Sequence, residues 1–132
     1  YSGRCDKMIR ILLAEDEQAM REHLTRALEK ANYEVVAVDR GTAAVPLLDT
    51  QKFDLLLTDI VMPEMDGIEL AQHCATVCPD TQVMFITGFS GVTLRAGESV
   101  PKAKILSKPF HLRDLVLEVD RLFEPDSISD LN

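Results

Sequence analysis

Basic charge is what this chain most lacks. Against 22 acidic residues stand 14 lysines and arginines, a net charge of −8 over 132 residues. A surface of that sign repels phosphate backbones, which argues against any sequence-independent grip on DNA or RNA. Long apolar runs are missing too. No stretch approaches the roughly 20 residues of a membrane-spanning helix, and no secretory signal pattern is legible. Cysteine is sparse: Cys5, Cys74 and Cys78 form an odd set without framework spacing. That is the expectation for reduced thiols in a cytoplasmic protein, not for a disulfide scaffold. What is present is ordinary for a globular chain, 46% hydrophobic and 27% charged. The length suits one domain with a core of its own.

Tyr1 to Lys7 carry no periodic pattern and read as a cloning remnant ahead of a native start at Met8. The domain is expected over 8–124, with a frayed polar tail over 125–132. Within it, apolar runs at Ile9 to Ala14, Glu34 to Val38, Asp54 to Thr58, Val83 to Ile86 and Ala103 to Leu106 predict strands. Met20, Leu24, Ala27, Leu28 and Ala31 recur at helical spacing, and Asn32 ends that helix. A second helix is expected from Gly41 to Gln51, with Pro46 tolerable only near its first turn. Asp66 caps a third that runs to about Cys78, with Leu70, Ala71, Cys74, Ala75 and Cys78 as its inner stripe. Ser90 to Pro101 is the weakest segment, holding Gly91, Gly97 and Pro101. The last helix is the clearest, with Leu112, Leu115, Val116, Val119, Leu122 and Phe123 on one face.

Strand and helix alternate, which predicts a doubly wound α/β domain of flavodoxin-like type. The expected sheet is parallel, five-stranded, in the order 2-1-3-4-5 and flanked by five helices. That order sets strands one and three side by side, and only such adjacency brings Glu15 and Asp16 close to Asp59.

Four of the apolar runs release polar side chains at their carboxyl ends. Glu15-Asp16 follows the first, Asp59 the third, Thr87 the fourth and Lys108 the last. The carboxyl edge of an open parallel sheet is where ligand-binding groups gather. Three packed carboxylates repel one another unless a proton or cation intervenes. A small hard cation is the natural answer, and magnesium keeps several waters and adds a phosphate oxygen. A carboxylate can attack phosphorus to give an aspartyl phosphate. The lysine and the metal would neutralise charge on the transferring group, and the threonine would hydrogen-bond a phosphate oxygen. Each residue alone has a plainer reading as a helix cap, a loop acid, a turn hydroxyl or a surface lysine. All four at matching strand ends do not.

In type and spacing, Glu15-Asp16, Asp59 within Asp59-Ile60-Val61-Met62-Pro63-Glu64-Met65-Asp66-Gly67, Thr87-Gly88 and Lys108-Pro109-Phe110 are highly specific. The chain from Met8 to about Phe123 resembles the receiver domains of bacterial two-component response regulators. That resemblance implies that Asp59 is the phosphoacceptor and that Glu15, Asp16, Asp59 and the Val61 backbone carbonyl hold magnesium. It further implies that Thr87 is the switch hydroxyl, that Lys108 binds the phosphate and that the Lys108-Pro109 bond is cis. The implied donor is a histidine kinase or a histidine phosphotransfer protein.

A narrower likeness covers Leu56 to Ala71, Val83 to Phe89 and Leu106 to Val116. These stretches resemble the CpdR-type single-domain regulators, whose unphosphorylated form primes the ClpXP protease for selected substrates. The chain departs from that group in ending Asp130-Leu131-Asn132, where some members carry small apolar residues that the protease reads. It departs from receivers generally at Ile105, where Tyr or Phe is usual. A β-branched aliphatic side chain cannot swing as a ring does or offer a phenolic hydroxyl. Output is then expected to run through the Gly88 to Gly97 loop or another surface.

Three other functions compete. An aspartate-nucleophile phosphohydrolase would carry a second acid two residues past the nucleophile, where this chain has Val61. A flavin carrier would need a Ser-, Thr- or Gly-rich phosphate loop where Glu15-Asp16-Glu17 stands. The receiver of a longer DNA-binding regulator is the remaining alternative. Cys74 and Cys78 are expected to pack in the core. His23, His73 and His111 are expected at the surface or at a helix start, and Met62 and Met65 to pad the loop beneath the site.

Overall fold

The computed structural model describes residues 8–87, 103–108 and 110–123. Its parallel sheet runs β2-β1-β3-β4-β5, as the alternation predicts. The strands are β1 (Arg10–Ala14), β2 (Glu34–Val38), β3 (Leu55–Asp59), β4 (Gln82–Thr87) and β5 (Lys104–Ser107). The helices among the described residues are α1 (Gln18–Lys30), α2 (Gly41–Thr50), α3 (Gly67–Val77) and α4 (Leu112–Leu122). The segment 88–102 lies outside the described residues, and with it the fifth expected helix and the loop from Gly88 to Gly97. No helix among the described residues is long and apolar enough to cross a membrane.

β1, β3 and β4 are nearly continuous apolar runs because both their faces are covered. Leu12, Ala14, Leu56 and Phe85 point to α2 and α3, packing on Ala44, Leu48, Leu70, Ala71 and Cys74. Ile11, Leu13, Leu57, Met84 and Ile86 point to α1 and α4, against Leu24, Leu28, Leu115 and Val119. β2 and β5 lie at the edges and are only part-buried.

α1 ends in a Schellman motif. Asn32 takes φ 75°, the Tyr33 N–H donates to the Leu28 carbonyl at 3.1 Å, and the Asn32 N–H donates to that of Glu29 at 3.0 Å. Asp66 caps α3 through a reciprocal box: the Glu69 N–H donates to Asp66 Oδ1 at 2.9 Å, and the Asp66 N–H to Glu69 Oε1 at 3.1 Å.

Three local expectations need correction. β3 lies one residue later than predicted, at Leu55–Asp59, and Asp54 just before it donates its N–H to the Arg10 carbonyl while its side chain accepts the Arg10 N–H, each at 2.8 Å. Pro46 lies inside α2, past the first turn. An interior proline costs about 3 kcal/mol. Here the ring is solvent-exposed, while Ala44 and Leu48 bury on the other side and offset it. Ala75 is exposed, so the inner stripe of α3 is narrower than expected, carried by Ile68, Leu70, Ala71 and Cys74. Cys78 is half-buried and donates its thiol hydrogen to the Leu48 carbonyl.

Candidate functional site

Parallel register brings the predicted residues to one edge. Ala14 pairs with Thr58 across β1 and β3, Asp59 with Ile86, and Thr87 with Ser107. The residues following β1, ending β3 and β4, and following β5 therefore converge. One carboxylate oxygen each from Glu15, Asp16 and Asp59 lies within 4.8 Å of the others. Lys108 Nζ stands 3.6 Å from Asp59 Oδ2. Thr87 is buried at the end of β4, and its carbonyl accepts the Lys108 N–H at 2.7 Å. Pro109 lies outside the described residues, and so does the bond expected to be cis. Val61 is exposed on the loop after Asp59, and Met62 and Met65 pack beneath that loop as expected.

Glu15 is the most constrained of the acids. Its N–H donates to the Val38 carbonyl, its own carbonyl accepts Arg21 Nη1 at 2.9 Å, and Oε2 accepts the Glu17 N–H at 3.1 Å. Oε1 is buried without a hydrogen-bond partner among the described residues. Desolvation pushes this carboxyl up to about 7, with Asp59 and Asp16 adding to the shift while the Glu17 N–H and Lys108 oppose it. Desolvation likewise raises Asp59, against the pull of Lys108. A buried acid oxygen without a donor, two acids reluctant to ionise and a third at the rim form an oxygen-rich set suited to a small hard cation.

Sequence reasoning missed several supporting residues. Arg21 reaches back from α1 to the Glu15 carbonyl. Gly67 starts α3 against the backbone of Asp59, and its N–H donates to the Ile60 carbonyl at 2.8 Å. A cavity of about 310 Å³ beside Lys108 is lined by Met20, His23, Phe110 and Leu112. A larger one, about 540 Å³, opens at the opposite edge between the ends of α2 and α3 and holds none of the site residues. His73 pairs with Asp49 at 2.8 Å and His111 precedes α4, both away from the acids.

Known proteins share this arrangement of elements. Residues 11–120 match the family model of the response regulator receiver domain. The response regulator receiver protein CpdR of Brucella abortus (strain 2308) is 56% identical over 116 residues, covering 87% of this chain and 97% of that protein. The response regulator protein FleR of Pseudomonas aeruginosa is 38% identical over 109 residues, 81% of this chain but 23% of FleR. The crystal structure of a response regulator receiver protein from Sinorhizobium medicae WSM419 superimposes with a TM-score of 0.80 at 30% identity, covering 88% of this chain and 94% of that one. The acids at the ends of β1 and β3 thus stand on the fold of these relatives, and the chain belongs to the response regulator receiver family of two-component systems.

Proposed function

We propose that Asp59 accepts a phosphoryl group from a histidine kinase or a histidine phosphotransfer protein, and that this switches the binding of a protein partner. What supports the reading is the triad of acid oxygens within 4.8 Å with Lys108 Nζ beside Asp59. An Asp59 carboxylate oxygen forms the new O–P bond as the P–N bond of a phosphohistidine breaks, and the electron pair stays on the imidazole nitrogen. Glu15, Asp16, Asp59 and the Val61 carbonyl would hold magnesium, which when bound offsets charge on the phosphoryl oxygens. Lys108 adds a second positive charge at Asp59, and Thr87 supplies a hydroxyl for a phosphoryl oxygen. Turnover chemistry is not part of the reading, since Val61 stands where a phosphohydrolase keeps its second acid.

The output follows the likeness to the CpdR-type regulators: a cytoplasmic adaptor that primes the ClpXP protease when unphosphorylated and lets go when phosphorylated. A doubly charged phosphate would draw Thr87 and Lys108 inward and reshape the adjoining surface. A receiver module within a longer regulator is the second reading, favoured by the alignment to part of FleR.

Incubation with magnesium and acetyl phosphate should label wild type but not Asp59→Asn. Asp16→Asn should weaken magnesium by removing one ligand and one charge. Affinity for ClpX, the regulatory subunit of the protease, should fall on phosphorylation and stay high in Asp59→Ala. Tighter binding by the phosphorylated form would overturn the adaptor reading and leave an ordinary activation-by-phosphorylation receiver.

A further inference from the structure

The loop between Asp59 and α3 contains a strained residue. Glu64 has φ 72°, and the Met65 N–H donates to the Pro63 carbonyl at 2.8 Å. Glu64 is therefore the centre of a three-residue γ-turn of the rare positive-φ kind. Any residue with a Cβ is disfavoured there, whereas glycine would sit at no steric cost. Something outside the loop must hold the turn.

The Glu64 side chain supplies the reason. Its Oε1 accepts a hydrogen bond from Thr42 Oγ1 at 2.8 Å, and its Oε2 lies 3.7 Å from Arg40 Nη1. Arg40 is in turn paired with Asp39 at 3.0 Å. Arg40 and Thr42 flank Gly41, the first residue of α2. That helix has no acidic residue in its first turn, and its N-cap, Arg40, makes no side-chain capping bond. The Glu64 carboxylate brings to this N-terminus the negative charge that a helix dipole favours and that α2 itself does not supply. Met65 adds an apolar contact, pressed so near α2 that a Cβ on Gly41 would lie 2.9 Å from the Met65 carbonyl oxygen. At its other end the loop is tied to α3 by the Gly67 N–H, which donates to the Ile60 carbonyl at 2.8 Å.

We propose that Glu64 is a positioning residue: its latch on Thr42 and Arg40 holds the Ile60 to Asp66 loop in the strained turn and so presets the backbone after Asp59 for divalent-cation binding. The proposal rests on the reading of Asp59 as the phosphoacceptor. Glu64, Thr42 and Arg40 are all exposed, and exposed ion pairs add little to global stability. Breaking the latch should therefore leave the fold intact and show itself at the cation.

The test uses the full chain and three variants, Glu64→Ala, Thr42→Val and Glu64→Gln, the last keeping an acceptor for Thr42. Magnesium affinity is measured by calorimetry, and exchange of the Met65 amide is followed in the metal-free protein. Acetyl phosphate labelling is compared at limiting and saturating magnesium. Glu64→Ala and Thr42→Val should weaken magnesium about tenfold, the scale seen when a group supporting metal ligands is lost. Both should speed Met65 exchange, and both should slow labelling at limiting magnesium while the saturated rate stays near wild type. Glu64→Gln should recover most of each effect. If wild type binds magnesium and is labelled, but Glu64→Ala matches it in affinity and in Met65 exchange, the latch is wrong. If wild type neither binds magnesium nor is labelled, the phosphoacceptor reading itself falls.

Discussion

Gly67 stands so close to Asp59 that a Cβ on it would lie 2.1 Å from the Asp59 carbonyl oxygen and 3.0 Å from the carbonyl carbon. The start of α3 and the end of β3 are in backbone contact, so a shift of α3 presses on Asp59, the residue proposed to accept the phosphoryl group. The obstacle is main chain, which cannot rotate aside as a side chain tip would.

Gly67→Ala should therefore destabilise the fold by about 1–3 kcal/mol, the usual cost of overpacking. It should also slow acetyl phosphate labelling by displacing Asp59. Urea denaturation and a labelling time course read the two effects separately. Wild-type stability in Gly67→Ala would mean that the two backbones part at little cost.

The buried carboxyl of Glu15 makes metal-free stability depend on pH. Its folded value of about 7 stands above the ordinary 4.5. A carboxyl protonated in the fold but ionised in the unfolded chain favours the fold at low pH, and that contribution is lost as pH rises through about 7. The metal-free protein should thus unfold at lower urea at pH 8 than at pH 5, with magnesium restoring more at pH 8. Glu15→Gln should flatten the pH dependence. Equal midpoints for wild type at both pH values would contradict the burial argument.

Far from the acids, the Tyr33 hydroxyl donates to the Asp120 carboxylate, joining the turn after α1 to α4. Burial and that carboxylate both hold the phenol above its ordinary range. Tyr33→Phe should cost about 1–2 kcal/mol, the scale of a hydrogen bond to a charged group that is partly solvated. Magnesium affinity should not change, so this variant separates loss of stability from loss of site geometry.

The strands and the polar residues Glu15, Asp16, Asp59, Thr87 and Lys108 at their carboxyl ends were legible because those signals are local, and the order 2-1-3-4-5 followed from the fold type. A doubly covered strand is an apolar run, and its first polar residue marks the carboxyl edge. The supporting contacts were not legible because they join exposed or distant residues with no shared period. Thr42 and Glu64 are 22 positions apart, and Tyr33 and Asp120 are 87 apart. Gly67 is plain in the sequence, but a glycine signals equally a turn, a cap or a close approach. Pro46 misleads for a related reason, since the cost of an interior proline is visible and the packing that offsets it is not.

Val61 sits two residues past Asp59 and is exposed at 52%. An apolar side chain there cannot hydrogen-bond a water for attack on the phosphoryl group, so the phosphorylated form should be comparatively long-lived. Val61→Asn places a donor and an acceptor at that position, and an exposed site tolerates the change within about 0.5 kcal/mol. Loss of phosphate should then quicken, by roughly tenfold at most, because orienting a water falls short of the hundredfold or more that full proton transfer supplies. Uptake from acetyl phosphate should change little, since the magnesium ligand proposed at Val61 is its backbone carbonyl, which the substitution keeps. The decay of labelled protein after removal of the donor measures the effect. An unchanged half-life in Val61→Asn would mean that this side chain does not reach the attacking water.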